Sequence, residues 1–213
     1  MSEVVSIDRD GADIARAALE RCVRAGGVAL FPADGLYGLA CDPLNEAAVA
    51  RIQALKGRDE RKPSAVMYFS PLAMRELFAG MGERTRAAVA ELLPGPVTLV
   101  IANPERRYPL ASRDDPGRLG VRLIEGPLAG ILPPVLQTSA NRSGEPSAGS
   151  FEDLDAAILA GADLAIDGGA LSGAPSTVVD LSALDASGDW SVLRVGALSP
   201  VDLERRLAAA LEP

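Results

Sequence analysis

The stretch DGADIARAALERCVRAGGVALF, residues 10–31, decides the fold class. Residues 10–25 repeat Ile14, Ala17, Ala18, Leu19, Cys22 and Val23 at helical spacing, and Gly26-Gly27 stops the helix. Val28–Phe31 is then a short apolar strand ended by Pro32. A helix that hands over to a strand through two glycines is the unit of an α/β protein. The same unit recurs outward. Glu3–Ile7 reads as a strand before it. After it, Asn45 caps a helix with Val49, Ile52 and Leu55 on one face, ending near Gly57. Ser64–Phe69 is a strand, and helices fill Pro71–Gly80 and Glu83–Leu93. Strands follow at Val97–Ala102, Leu119–Ile124 and Val135–Thr138. Ser150 with Asp153 predicts a capping box for a helix to about Ala160. Strands at Leu164–Ile166, Thr177–Leu181 and Val192–Val195 precede a closing helix, Val201–Leu211, started by Ser199-Pro200 and Asp202. No fixed-period repeat or low-complexity linker breaks the series. Residues 1–213 therefore read as a single α/β domain with a twisted mixed β-sheet flanked by helices. Sites in such folds gather at the carboxyl ends of strands.

Composition narrows the chemistry. Apolar content of 48% with 23% charged residues fits a globular chain with a sizeable core. The N-terminus has no basic region followed by an apolar stretch, and no apolar run is long enough to cross a bilayer. A cytoplasmic location, away from any membrane, is the expectation. Cys22 and Cys41 make no metal-binding spacing and no disulfide framework. Histidine is absent, which excludes a Ser-His-Asp triad, a Cys-His pair and a His-ligated zinc site. Phosphoryl and nucleotidyl transfer tolerate that absence best, because they rely mostly on positioning and electrostatics.

The two lysines, Lys56 and Lys62, share one window with Arg58 and Arg61 in a chain of formal net charge −8. Such a cluster suits a local anionic ligand rather than a long polyanion. Taken alone, it reads equally as a solvated helix end whose cations complement the macrodipole. No G-x-x-x-x-G-K-S/T or G-x-G-x-x-G phosphate loop is present. An anion site must then use side-chain cations and scattered backbone N–H groups. Three more segments stand out. Pro32–Leu39 leaves a strand, although its Asp34-Gly35 is also a hairpin signal. Thr138–Ser147 sets hydroxyls, an amide and Arg142 after a strand, as an ordinary Asn/Ser turn also would. Ser176–Asp180 is followed one strand later by Arg194-Val195-Gly196.

Together these segments resemble the YrdC-like threonylcarbamoyl-AMP synthases over nearly the whole chain. Family patterns appear in order as Pro32-Ala33-Asp34-Gly35-Leu36-Tyr37-Gly38-Leu39, Lys56-Gly57-Arg58 with Pro63, Pro94-Gly95-Pro96-Val97-Thr98 and Val121-Arg122. Ser139-Ala140-Asn141-Arg142-Ser143-Gly144, Ser176-Thr177-Val178-Val179-Asp180 and Arg194-Val195-Gly196 complete the series. The resemblance implies a YrdC-like fold and an ATP-dependent condensation. L-threonine and bicarbonate (or carbon dioxide) form a carbamate that takes AMP from ATP and releases pyrophosphate, with Mg²⁺ accompanying the phosphates. The product serves N6-threonylcarbamoyladenosine modification of tRNA, so tRNA or tRNA-modification proteins are implied partners.

By matched position, the resemblance assigns Lys56 and Arg58 to catalysis. Lys56, Arg58, Lys62, Arg118, Ser139, Asn141, Ser147 and Arg194 would bind ATP. Gly35, Met67, Arg122 and Ser176 would face the amino acid, Arg122 through its carboxylate. No metal-ligating residue is assigned. Two departures mark the amino-acid end: Ala33 and Gly35 replace both family threonines of the first motif, and Met67 stands where some relatives are polar. The altered pocket leaves open another amino acid as substrate, or a divergent paralogue that binds nucleotide, double-stranded RNA or tRNA without making the adenylate. A net charge of −8 argues against broad RNA binding. The chain is expected to act alone rather than inside a larger carbamoyl-transfer protein.

Overall fold

The computed structural model describes residues 3–57 and 62–212. The first half runs β1 (Glu3–Ser6), α1 (Ile7–Asp10), α2 (Ala12–Arg24), β2 (Ala29–Pro32), β3 (Tyr37–Cys41), α3 (Glu46–Lys56), β4 (Ala65–Tyr68), α4 (Pro71–Ala79) and α5 (Glu83–Leu92). The second half runs β5 (Val97–Ala102), α6 (Pro109–Ser112), β6 (Arg118–Leu123), β7 (Val135–Ser139), α7 (Ala156–Gly161), β8 (Leu164–Asp167), β9 (Thr177–Asp180), α8 (Leu184–Ser187), β10 (Ser191–Arg194) and α9 (Pro200–Leu211). The ten strands among the described residues form one sheet in the order β1-β8-β2-β3-β7-β4-β6-β5-β9-β10. It is mixed: β1 pairs β8 and β4 pairs β6 in parallel, whereas β2 pairs β3 and β5 pairs β6 antiparallel. Helix ends follow their caps. Asn45 accepts from Ala48 N, and Gly57 closes α3 in the left-handed region at φ 55°.

Strand alternation divides the core in two. Leu30, Leu39, Val66, Leu99, Val121, Leu136 and Val179 belong to one cluster with apolar residues of α3, α4, α5, α7 and α9. Ala29, Phe31, Ala40, Met67, Phe69, Val135 and Ile166, on the other face, pack with Ala15, Ala18, Leu19 and Val23 of α2. Each large side chain so buried contributes about 1.5–3 kcal/mol. The first face is covered along its length. The second is covered only at one end, by α2 and by Ile124, Leu128 and Ile131. Its remainder is open and floored by small residues, Ala65 and Gly120 among them.

One local expectation is met in both its readings, and two need correction. The strand that ends at Pro32 does not lead into a free loop. It turns directly into β3, with Pro32 paired to Tyr37, so the hairpin reading and the strand-exit reading are both satisfied. The helix expected from Ser150 begins only at Ala156, because Asp155 accepts from Ala157 N and Ile158 N. Ser150 and Asp153 instead bond to each other in a turn. Ile7 leaves the first strand and starts α1, capped by Ser6.

Candidate active site

The uncovered part of the second face is a cavity of about 360 Å³. Its floor is β6, β5, β9 and the end of β7, and its rim comes from residues 33, 35–37, 63–64, 112, 115, 174–176 and Arg194. Of the expected site residues it gathers Gly35, Arg118, Arg122, Ser139, Ser147, Ser176 and Arg194. These lie far apart in sequence, and the sheet order brings them together.

Arg122 sits on the floor with only 5% of its surface exposed. Its Nη2 donates to Asp34 Oδ2 at 3.1 Å, and its Nη1 to Ala33 O at 3.3 Å and Gln137 Oε1 at 3.4 Å. Burial pushes its pKa down to about 10, against the pull of Asp34. It remains a cation at neutral pH.

A polar chain lies along one wall. Thr98 Oγ1 and Ser176 Oγ are 2.8 Å apart, and Arg194 Nη2 donates to Ser176 O at 2.8 Å and Oγ at 3.2 Å. Burial lowers the Arg194 pKa. Arg118 reaches the cavity while paired to both Asp115 and Asp180. It arrives partly neutralised, a weaker anion ligand than its charge suggests.

The Ser139–Ser147 loop forms another wall, wound around two polar side chains, the half-buried Asn141 and the buried Lys56. Asn141 Nδ2 donates to Arg142 O at 2.9 Å and Glu145 O at 2.6 Å. Its Oδ1 accepts from Ser139 Oγ and from Ser147 Oγ at 3.3 Å. Lys56, 3% exposed at the last turn of α3, donates to Ser139 O and to Asn141 O at 2.7 Å. Ser143 N returns a bond to Lys56 O at 2.8 Å. Lys56 and Asn141 therefore stand behind the loop and shape it, while Ser139 and Ser147 face the cavity.

Other expectations fall differently. Arg58 lies outside the described residues. Lys62 is exposed and does not line the cavity, although its neighbours Pro63 and Ser64 do. Met67 is fully buried in the cluster under α2 and does not line it either. Gly35 lines it, but its importance is a close approach rather than a missing hydroxyl. A Cβ there would collide with Ala174 O and stand 2.7 Å from Ser172 Oγ, and Gly173 N already donates to Gly35 O at 2.9 Å. Segment 172–174 occupies the space that a side chain at position 35 would need.

Sequence reasoning missed Thr98, Ser112 and Gln137 at the cavity. Gln137 carried a signal, an amide directly after Val135 and Leu136 within a strand. Thr98 stood inside a quoted motif that was read only as a strand start. Ser112, in a Pro- and Arg-rich loop, carried none.

Among the described residues, no group of three or more His, Cys, Asp or Glu side chains is placed to hold a metal ion, and no helix is long and apolar enough to cross a membrane. A family model described as "Telomere recombination", of Sua5, YciO and YrdC proteins, matches residues 21–196. The threonylcarbamoyl-AMP synthase of Chromohalobacter salexigens is 37% identical over 166 residues, 75% of this chain and 88% of that protein. That of Methylobacillus flagellatus is 33% identical over 173 residues, covering 77% and 93%. Among solved structures, P. abyssi Sua5 complexed with L-threonine superposes with a TM-score of 0.79 at 27% identity. The match spans 97% of this chain but 60% of that longer one. Matched along most of its length by sequence and by shape, the chain belongs to the Sua5/YciO/YrdC family.

Proposed function

We propose that this protein is a threonylcarbamoyl-AMP synthase, acting as one domain over residues 1–213. Threonine's amine and bicarbonate give a carbamate with loss of water (with carbon dioxide, the amine adds and releases a proton instead). A carbamate oxygen attacks the α-phosphorus of ATP, and the bond to the pyrophosphate leaving group breaks. The observation that carries this reading is the cavity that unites Arg122, Ser139, Ser147, Ser176 and Arg194 from separate strand ends. Close relatives named threonylcarbamoyl-AMP synthase support it.

The carbamate is already an anion, so the reaction needs no strong general base, consistent with a chain that has no histidine. The site's task is to hold two anions together and offset their charge. Arg122 takes the threonine carboxylate and Ser176 lies beside the amino acid. Arg194, with Ser139 and Ser147, takes the nucleotide, Arg118 and Lys62 approach its phosphates from the rim, and Arg58 is assigned there by sequence alone. Lys56 and Asn141 serve the nucleotide through the loop they shape. Mg²⁺ enters with ATP as part of the substrate complex, since such ions keep several waters and bind mainly through phosphates. A cytoplasmic location and delivery of the product to tRNA modification complete the reading.

The test is pyrophosphate release from MgATP and bicarbonate with each amino acid in turn. Threonine-dependent release is expected. Release with no amino acid in the panel would sink the reading in favour of a nucleotide- or RNA-binding relative.

A further inference from the structure

A guanidinium has five N–H donors in a planar fork. At Arg122, Nη1 is occupied by Ala33 O and Gln137 Oε1, and Nη2 meets Asp34 Oδ2 at 3.1 Å. The Nε–H is buried with no partner among the described residues. Nε and Nη2 share one edge of the fork, and a carboxylate grips such an edge with both oxygens. In this structure the edge is half used: Asp34 holds one corner through a single contact, and the other corner is empty. A buried donor left without an acceptor is costly, so the edge calls for a better carboxylate than Asp34 supplies.

Asp34 is itself poorly settled. It lies at the tip between β2 and β3 with φ 80°, an uncommon conformation for a residue other than glycine. Its side chain is 35% exposed, so its route to water is short. The tip backbone is held by the Ala33 N to Leu36 O bond, by Gly173 N at Gly35 O and by Arg122 Nη1 at Ala33 O, so the Asp34 side chain is the part free to swing.

We propose that Asp34 is a displaceable counter-ion: it holds the Nη2 corner of Arg122 in the empty site, and the incoming amino-acid carboxylate takes the whole Nε–Nη2 edge and turns Asp34 out to water. The inference rests on the reading that an α-amino acid binds at Arg122. Asp34 then sets both affinity and selectivity. Displacing it weakens apparent binding of the amino acid, as any competition between two states does. A ligand with no carboxylate cannot replace the lost charge and is rejected. The Asp34 side chain swings out as part of binding, while the tip backbone stays anchored at Ala33 O and Gly35 O.

The experiment uses Asp34→Asn, which keeps the shape, and Asp34→Gly, which also suits the positive φ. Threonine affinity is read by thermal shift, and KM for threonine and for ATP by pyrophosphate release. The expected result is a threonine Kd and KM lower by about tenfold in both variants, with the KM for ATP unchanged. The melting temperature without threonine falls, and threonine raises it by more than in the parent protein. A purely structural Asp34 would lower the melting temperature without tightening threonine, and an unchanged or raised KM in a folded variant overturns the inference while leaving the synthase reading intact. If the parent protein neither binds nor turns over any amino acid, the synthase reading fails and the inference falls with it.

Discussion

The two ends of the cavity are built on opposite plans. At the Ser139–Ser147 end, hydroxyls, amide, ammonium and loop carbonyls bond to one another, and the loop is shaped before any ligand arrives. At the Arg122 end, a buried guanidinium keeps an unpartnered N–H, and its one carboxylate partner comes from a turn with positive φ. Under the proposed function, the contrast means that the nucleotide side is organised in advance, while the amino-acid side exchanges its own contacts for the ligand's. Preorganisation suits charge stabilisation, which must not wait for reorganisation during the reaction. Exchange suits selection, because only a ligand of the right charge completes it.

The largest expected effect tests the first plan. Lys56→Ala leaves Ser139 O and Asn141 O without their donor, so turnover falls on the order of 100-fold, the scale of a small misplacement in a catalytic site. Steady-state pyrophosphate release checks this; an unchanged rate in a folded variant would show that the loop shapes itself without the lysine. Next, Gly35→Thr forces a side chain against Ala174 O and destabilises the fold by about 2 kcal/mol, within the range for overpacking. Urea titration measures it, and a loss under a few tenths of a kcal/mol would mean that segment 172–174 yields freely.

Arg122→Lys separates the two ends. It keeps a charge but loses the planar fork, so KM for threonine rises about tenfold while KM for ATP stays put. Equal changes in both would erase the division of labour. The smallest effect concerns the turn behind the hairpin. Tyr37 Oη donates to Gly169 O at 2.8 Å and accepts from Gly168 N at 2.9 Å. Tyr37→Phe should cost about 1 kcal/mol. Burial raises the Tyr37 pKa to about 12, so the neutral phenol is the favoured native form. Its stabilising contribution is fully present below the unfolded value near 10 and is lost as pH rises through about 12. Denaturation at pH 8 and pH 11.5 should show the gap between the two proteins shrinking.

Much of this was legible in the sequence for local reasons. Asn45, Gly57 and Ser199-Pro200 mark helix ends because caps act within a few residues. The open cavity was not, since it depends on which strand lies beside which. Val97 and Thr98 differ in role only because alternate residues of β5 face a helical layer or a bare one. The lysine window shows the same limit. Sequence located Lys56 beside a site but could not show that its Nζ bonds to Ser139 and Asn141, more than eighty positions away. Gly35 looked like a lost contact because the Ala174 carbonyl that excludes a side chain there approaches from across the chain.

Lys56 is also the last residue of α3, the helix that carries Val49 and Ile52 into the main core. The loop and the helix are thus halves of one mechanical link. Amide protons in α3 should exchange with solvent more slowly once nucleotide binds the preformed loop, because the loop is bonded to Lys56 at the end of that helix. By the same link, a core substitution such as Ile52→Val, remote from every substrate, would register as a change in nucleotide affinity before it registered as a loss of fold.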